Sequence, residues 1–334
     1  MYIVDSYSLA VVFCIITMLG WGSLANTLKM TKKEWGFPLY YWDYSIGLVL
    51  TTLIFGVSFG SIGTAGRSFF SDLAGAGFPA ISQALLGGVI FNLSNLLIVA
   101  ATSIAGMSVV FPIAVGLALV IGVVVNYIAT PLGNPWLLFI GLFLVVAAIL
   151  VDAFAYRRLP QDQKGGQKKG IIISILSGIL MGFFYRFVAA SMATNFAAPE
   201  PGLLTPYSAM FVFTIGIFVS NFIFNTWFMC KPVAGSPVTY RDYFKIGTPK
   251  LHLVGLLGGL IWCVAMEFNL IASEQAGFAI SYGLGQGATM ISAAWGVFVW
   301  KEFAGARKGT NKMLAAMFAL FIIGLALIVI ARLS

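Results

Sequence analysis

Three main side chains in this sequence carry charge inside apolar segments: Asp43 in YYWDYSIGLVL, Arg186 in GFFYRFVAA and Glu267 in VAMEFNLIA. Ionisable groups inside a membrane are costly, so each is a candidate for work on a substrate, an ion or a proton. Neutral polar groups accompany them. Asn92 and Asn95 stand at i, i+3, Tyr282 and Gln286 at i, i+4, and Trp21 and Trp262 fall at similar depth in their segments. Buried amides are costly unless bonded. Each could serve as helix–helix glue. As a set they suit a small neutral polar solute: amides bond hydroxyl or ureido groups, and indole rings cover the less polar faces. That composition favours a sugar, a ureide or a nucleobase-like ring over a lipophilic cation.

Such residues need a scaffold, and composition names its class. Apolar residues make up 60% of the 334 and charged residues 9%; soluble domains average about 25% charged. A water-facing surface cannot be built from this chain, whereas a lipid-facing one can. The single histidine, His252, excludes a histidine-built metal centre, and Cys14, Cys230 and Cys263 lack CxxC spacing. No cofactor or metal is expected. The start, MYIVDSYSLAVVF, has no basic residue before its apolar run, unlike a signal peptide, so the first segment is expected to stay as a helix.

Ten segments are long and apolar enough to cross a bilayer: roughly 7–28, 37–57, 78–101, 104–126, 135–156, 170–192, 203–229, 251–272, 275–299 and 312–332. Of the Lys and Arg residues, 16 fall in the loops after the first, fifth, seventh and ninth segments and only Arg67 and Arg332 on the other side. The positive-inside rule then puts the basic loops in the cytoplasm and both termini outside. The net charge of +8 orients the protein in a plasma (inner) membrane; nucleic acid is not an expected partner.

The chain also repeats itself. LLGGVIFNLSNLLIVAATSIAGMSVVFPIAVG from Leu85 aligns without gaps to LLGGLIWCVAMEFNLIASEQAGFAISYGLGQG from Leu256. Phe91 matches Trp262, and Ala105–Gly106 match Ala276–Gly277. The repeat unit is five helices, and an odd number inverts the second copy in the bilayer. The expected fold is an all-α membrane protein of ten transmembrane helices in two inverted five-helix repeats. Residues 1–156 form the first repeat, 157–169 a basic cytoplasmic linker and 170–334 the second repeat. Inverted repeats of this kind characterise secondary transporters with a midplane site. A duplicated scaffold without transport is the plainer reading.

MYIVDSYS, YWDYSIG, GGVIFNLSNL at 87–96, GMSVV at 106–110 and the Asn126–Tyr127 pair resemble the ureide permeases of plants and their bacterial relatives. GWGSLANTLKMTKKEWGF is similar to bacterial sugar porters of the glucose/ribose and rhamnose type. Both are branches of the drug/metabolite transporter superfamily. The resemblance implies helices one to four and six to nine around a central cavity, with five and ten outside it.

Arg186 and Glu267 each lie 16 residues into their segments, about 24 Å from the cytoplasmic face. Equal depth and opposite sign predict an ion pair in the outer half; the alternative is that each snorkels separately. For Asp43 three readings stand: a favourable charge near a helix N-terminus, a pair with Lys29, or a carboxyl that exchanges a proton during transport. Asp43, Gly47 and Thr51 share one stripe, expected to face protein. Tyr40, Tyr41 and Trp42 read as an interfacial aromatic belt. The run GLGQG, Gly283 to Gly287, is either a packing face or a loosened helix beside Gln286; without a preceding strand or a Walker lysine it is no phosphate loop.

The resulting expectation is a non-enzymatic secondary transporter of a small neutral polar solute, working by proton-coupled uptake and alternating access. An exporter of drugs or metabolites is the alternative. Neither HExxH nor GxSxG is present to support an intramembrane enzyme. A channel would show flux linear with gradient and no counterflow. Partners are the solute, protons and the bilayer; a homodimer is left open.

Overall fold

The computed structural model describes residues 1–32, 34–159, 167–233 and 235–334. Most of the expected linker, 160–166, lies outside the described residues. The protein is all-helical and multi-spanning. Eight helical stretches are long and apolar enough to cross a membrane. In chain order the helices are α1 (Tyr7–Ser23), α2 (Ala25–Lys29), α3 (Phe37–Val57), α4 (Phe69–Gly75), α5 (Phe78–Ala105), α6 (Met107–Ala129), α7 (Pro135–Tyr156), α8 (Gln167–Ser191), α9 (Pro206–Asn221), α10 (Phe224–Cys230), α11 (Tyr240–Ile246), α12 (Pro249–Ala276), α13 (Phe278–Gly285), α14 (Ala288–Ala294) and α15 (Thr310–Ile330). A π-helical turn, Trp295–Val299, follows α14.

Two of the ten expected segments are not among the eight apolar stretches, for different reasons. α3 buries 12 of its 21 residues inside the bundle, so its polar and aromatic residues meet protein instead of lipid. The segment expected at 275–299 is not one rod. It stops at Gly285, turns through Gln286–Gly287 and restarts at Ala288. Glycines weaken a helix by about 1 kcal/mol each relative to alanine, and three fall within five residues here. The loosened-helix reading of GLGQG is the one the backbone adopts. Its glycines are also packed: a Cβ on Gly285 would lie 2.8 Å from the Trp21 ring, and one on Gly287 2.5 Å from the Met18 sulfur.

Capping explains where helices start. Ser6 accepts from the Leu9 amide, Asn134 Oδ1 from those of Trp136 and Leu137, and Thr248 from that of Leu251. Proline occupies the first turn of α3, α5, α7, α9 and α12, where its missing N–H costs nothing. α5 and α6 are joined by one residue, Gly106 at φ 78°, and α12 and α13 by Gly277 at φ 84°. Only glycine adopts that backbone without strain. Both long helices therefore run four residues beyond the apolar segments expected at 78–101 and 251–272, as far as these turns.

The repeat recurs in the element bounds. α5 and α12 both have 28 residues, and their starts, 78 and 249, differ by 171. α4 and α11 both have seven, and 69 and 240 again differ by 171. The two stretches also interlock alike. α12 crosses α3 with Gly259 against Gly47: a Cβ on Gly259 would lie 2.2 Å from the Tyr44 carbonyl oxygen, and one on Gly47 2.6 Å from that of Leu256. α5 crosses α9 with Gly88 against Gly216, where the same distances are 2.1 Å to Phe213 O and 2.4 Å to Leu85 O. α7 packs on α15 through Gly141 and Gly324.

Both chain ends lie on one face. The Met1 amine donates to Ala65 O, Gly66 N to Ala197 O, Phe196 N to Glu274 Oε1, and Arg332 Nε to Gln275 O. Lys29 pairs with Glu302 and Arg158 donates to Lys308 O, so the basic segments that follow α2, α7 and the π-helical turn meet on a basic face.

Candidate functional site

Where the glycine crossings bring the backbones together, aromatic rings fill the centre. The Trp262 ring on α12 is stacked 6.0 Å from that of Trp21 on α1 and 6.1 Å from that of Phe213 on α9, nearly parallel to both at 19° and 15°. Phe91 on α5 closes on Trp262 at 4.6 Å. Phe184 on α8 links Phe91 and Phe213 to Tyr282 on α13. Six helices thus contribute to one ring cluster. Trp21 Nε1 in the cluster is a buried donor with no partner among the described residues, as is Tyr44 Oη on α3, whose ring stacks 5.1 Å from that of Tyr41. Beside Tyr44, the Tyr41 hydroxyl accepts from Asn95 Nδ2 at 3.0 Å. A buried polar group without a hydrogen bond is a cost the fold tolerates for a reason.

Of the residues expected in a binding site, Trp21 and Trp262 meet directly, and Asn95 reaches Tyr41. Asn92 is largely spent on structure: its Nδ2 donates to Ile217 O and Ser220 Oγ at 3.2 and 2.8 Å, while its Oδ1 is unpartnered. Tyr282 keeps its ring in the cluster but its hydroxyl donates to Ala118 O and Met181 O. Gln286 sits half-buried in the break between α13 and α14. Sequence reasoning missed a neighbouring network. The Tyr185 hydroxyl donates to Asn269 Oδ1 at 2.7 Å, and Asn269 Nδ2 to Ser281 O at 2.8 Å. Phe91 was within reach of the sequence, being the repeat partner of Trp262.

The charged residues pair otherwise than their sequence positions suggest. Arg186 and Glu267 do not form a pair. Arg186 is half-buried and bonds to none of the described residues. Glu267 is wholly buried, and neither carboxyl oxygen has a partner among the described residues. Equal spacing along two helices does not fix the direction in which a side chain points: Glu267 is wholly buried and Arg186 only half-buried. Asp43 does not pair with Lys29. Lys29 Nζ reaches Glu302 Oε1 at 2.8 Å and lies over the Trp300 ring. Asp43 instead accepts from His252 Nδ1, 3.0 Å from both oxygens, and from the Tyr243 hydroxyl. With Asp43 ionised, the ring nitrogen that faces it carries the proton, and His252 Nδ1 is the donor. Burial and the Asp43 carboxylate push the Tyr243 phenol above its ordinary range, which keeps it protonated at neutral pH. Trp35 covers the group with its ring 5.1 Å from His252 and 5.6 Å from Tyr243. Asp43, Gly47 and Thr51 are all buried, as their stripe suggested. Tyr40, Tyr41 and Trp42 are buried as well and form no interfacial belt, because α3 lies within the bundle.

A second charged group closes the face that bears the termini. Arg67 Nε donates to Asp72 Oδ1 at 2.8 Å, and its terminal nitrogens to the carbonyls of Glu200 and Leu203. Asp72 Oδ2 accepts from Thr205 N and Oγ1 at 2.7 and 2.9 Å. On the basic face a cavity of about 500 Å³ opens between the start of α3, the end of α5 and α10, lined by Phe37, Leu96, Val99, Ser103 and Phe228 among others. Among the described residues, no cluster of three or more His, Cys, Asp or Glu could hold a metal.

The chain matches the model of a family described as ureide permease over residues 40–169 and 163–331. It is 22% identical to Ureide permease 1 of Arabidopsis thaliana over 98% of both chains. To the Glucose uptake protein GlcU of Bacillus subtilis it is 25% identical over 74% of this chain and 75% of that one. A solved crystal structure shares the fold with a TM-score of 0.64 at 16% identity, covering 98% of this chain and 99% of the other.

Proposed function

From the premise that this chain belongs to the ureide permease family, within the wider drug/metabolite transporters, we propose that it takes up a small neutral polar solute in symport with protons. Membership makes it an integral membrane transporter rather than an enzyme. The finer reading is ours. The solute is a sugar or a ureide or nucleobase-like ring, by analogy with relatives named for ureide permeation and glucose uptake.

The observation that carries the reading is the parallel stack Trp21–Trp262–Phe213, in which the Trp21 Nε1 donor has no partner among the described residues. Aromatic plates with a few neutral polar groups suit a compact polar ring. Trp21 and Trp262 would hold its faces. Asn95, the free carbonyl of Asn92, Gln286 and the Tyr282 ring would complete the rim. Asp43 and Glu267 are the candidates for proton coupling, with Arg186 as a gating residue. An ionised carboxylate buried without a partner costs several kcal/mol, which makes the wholly buried Glu267 a candidate for exchanging a proton.

The architecture proposed is ten crossings in two inverted halves, 1–156 and 170–334. The equal spacing of α4 with α11 and of α5 with α12 supports it, as do chain ends on one face, which require an even number of crossings. The family match also falls into two pieces that meet at 163–169. The distribution of Lys and Arg supports termini outside the cell and basic loops in the cytoplasm.

A thermal-shift screen of the purified protein against sugars, ureides, nucleobases and lipophilic cations tests the solute class, since a ligand of the folded state raises its stability. Hits then go into proteoliposomes with an inward proton gradient. Stabilisation by lipophilic cations alone would favour the exporter and overturn this reading.

A further inference from the structure

We infer that the two faces are closed by a pair of latches built from the same position of the repeat, with Asp72 and Tyr243 as their gating residues. The inference rests on the two-halved transporter proposed above and assigns the parts that open and close it.

The 72nd and 243rd residues differ by 171, the spacing of the helices they sit on. Both belong to seven-residue helices, α4 and α11, which follow the second long rod of each half and lie over opposite faces. Each reaches into the other half. Asp72 takes the backbone N–H and hydroxyl of Thr205, the cap of α9. Arg67 adds bonds to Glu200 O and Leu203 O, so this latch spans residues 67–72 of the first half and 200–205 of the second. Tyr243 bonds Asp43, in the second turn of α3, and His252 at the start of α12 makes the same carboxylate its partner.

The carboxylate comes from the small helix on one face and from the long rod on the other, and the contact falls at the cap of α9 but in the second turn of α3, so the two latches share the place of the small helix and not the place of its partner. Asp72 is fully buried and the Asp43 side chain is 4% exposed, so neither is a loose surface pair. The glycine crossings Gly47/Gly259 and Gly88/Gly216 lie farther along the same α3, α12, α5 and α9. Opening a latch frees one end of such a crossed pair while the other end stays closed. Both latches are made here, and Trp262, Phe213, Phe91, Phe184 and Tyr282 of the ring cluster are buried.

Cys263 reports on this directly. It is fully buried next to Trp262, and Cys230 is exposed. In a full-length chain with Cys14→Ala and Cys230→Ser, a membrane-impermeant maleimide is added to sealed vesicles of known orientation. Tyr243→Phe and Asp43→Asn should raise labelling of Cys263 from the basic face about tenfold, the order expected on losing a hydrogen bond to a charged group. Thr205→Val and Asp72→Asn should raise it from the face bearing the termini. Monodisperse elution identifies the variants that have folded, and Tyr243→Phe and Thr205→Val are the mildest of the four. Equal labelling from both faces, unchanged labelling or exchanged faces in these folded variants would overturn the inference. Labelling needs no solute, so a latch failure is separable from the transport reading: that reading fails when no polar solute binds or is taken up, whatever Cys263 does.

Discussion

The tightest prediction concerns the glycine crossings. Ordinary Cβ contacts begin near 3.4 Å, yet a methyl group at Gly259 would sit 2.2 Å from Tyr44 O and one at Gly88 2.1 Å from Phe213 O. Each alanine must therefore push its helix pair apart by about 1.2 Å, because the obstructing atom is backbone and cannot rotate away. Overpacking of this kind costs about 1–3 kcal/mol, against about 1 kcal/mol of helix propensity that alanine returns. Gly259→Ala and Gly88→Ala should each destabilise the protein, by similar amounts, because the repeat places them alike. Gly116 supplies the control: it is helical with no foreign atom within 4 Å of its Cβ, so Gly116→Ala should be neutral or slightly stabilising. The assay is the melting temperature of the detergent-purified protein with tryptophan fluorescence as readout. Crossing variants that melt with Gly116→Ala would refute the close approach of α12 to α3 and of α5 to α9.

Three further outcomes are expected. Trp262→Ala removes the middle plate of the stack and should weaken any stabilising solute about tenfold in a thermal-shift titration, in line with about 0.5–1.5 kcal/mol per aromatic contact beyond burial. Lys29→Met should change the melting temperature little, because Lys29 and Glu302 are 43% and 31% exposed and such pairs contribute at most about 1 kcal/mol; melting at low and high salt checks it. Glu200 accepts from the Thr194 hydroxyl and backbone, which holds its carboxyl below the usual range. The folded state then binds that proton less readily than the unfolded one, so this stabilisation is full above the ordinary carboxylate range and is lost as pH falls through the folded value. Thr194→Ala should flatten that acid limb in a pH series of melting curves.

The correspondence between the stretches from Leu85 and Leu256 was legible because it is written in glycines. Gly88 and Gly259 occupy matching places in a gap-free alignment, and both prove to be crossing points. Helix extent was legible to within a few residues, since long apolar runs leave little choice. Azimuth was not. Sixteen residues along a helix fixes height, and so Arg186 and Glu267 looked like partners while facing different neighbours. The same blindness assigned Tyr40, Tyr41 and Trp42 to an interface when α3 turns them inward. Long-range pairing was also hidden. Lys29 was chosen for Asp43 because it is near in sequence, whereas His252 is 209 residues away and reaches it only once α12 crosses α3. The central ring stack was half visible: tryptophans at similar depth stood out, but the phenylalanines that complete it are indistinguishable from lipid-facing ones until the helices are packed.

The single-residue turns at Gly106 and Gly277 bear on how the chain enters a membrane during synthesis. With one residue between them, α5 and α6 have no polar loop that could rest in water while the second helix waits its turn. If α5 were inserted alone, the whole apolar length of α6 would be left in the aqueous phase. Each of these pairs must therefore pass into the bilayer as a preformed hairpin, and a charged insertion at either glycine should halt biogenesis before any question of transport arises.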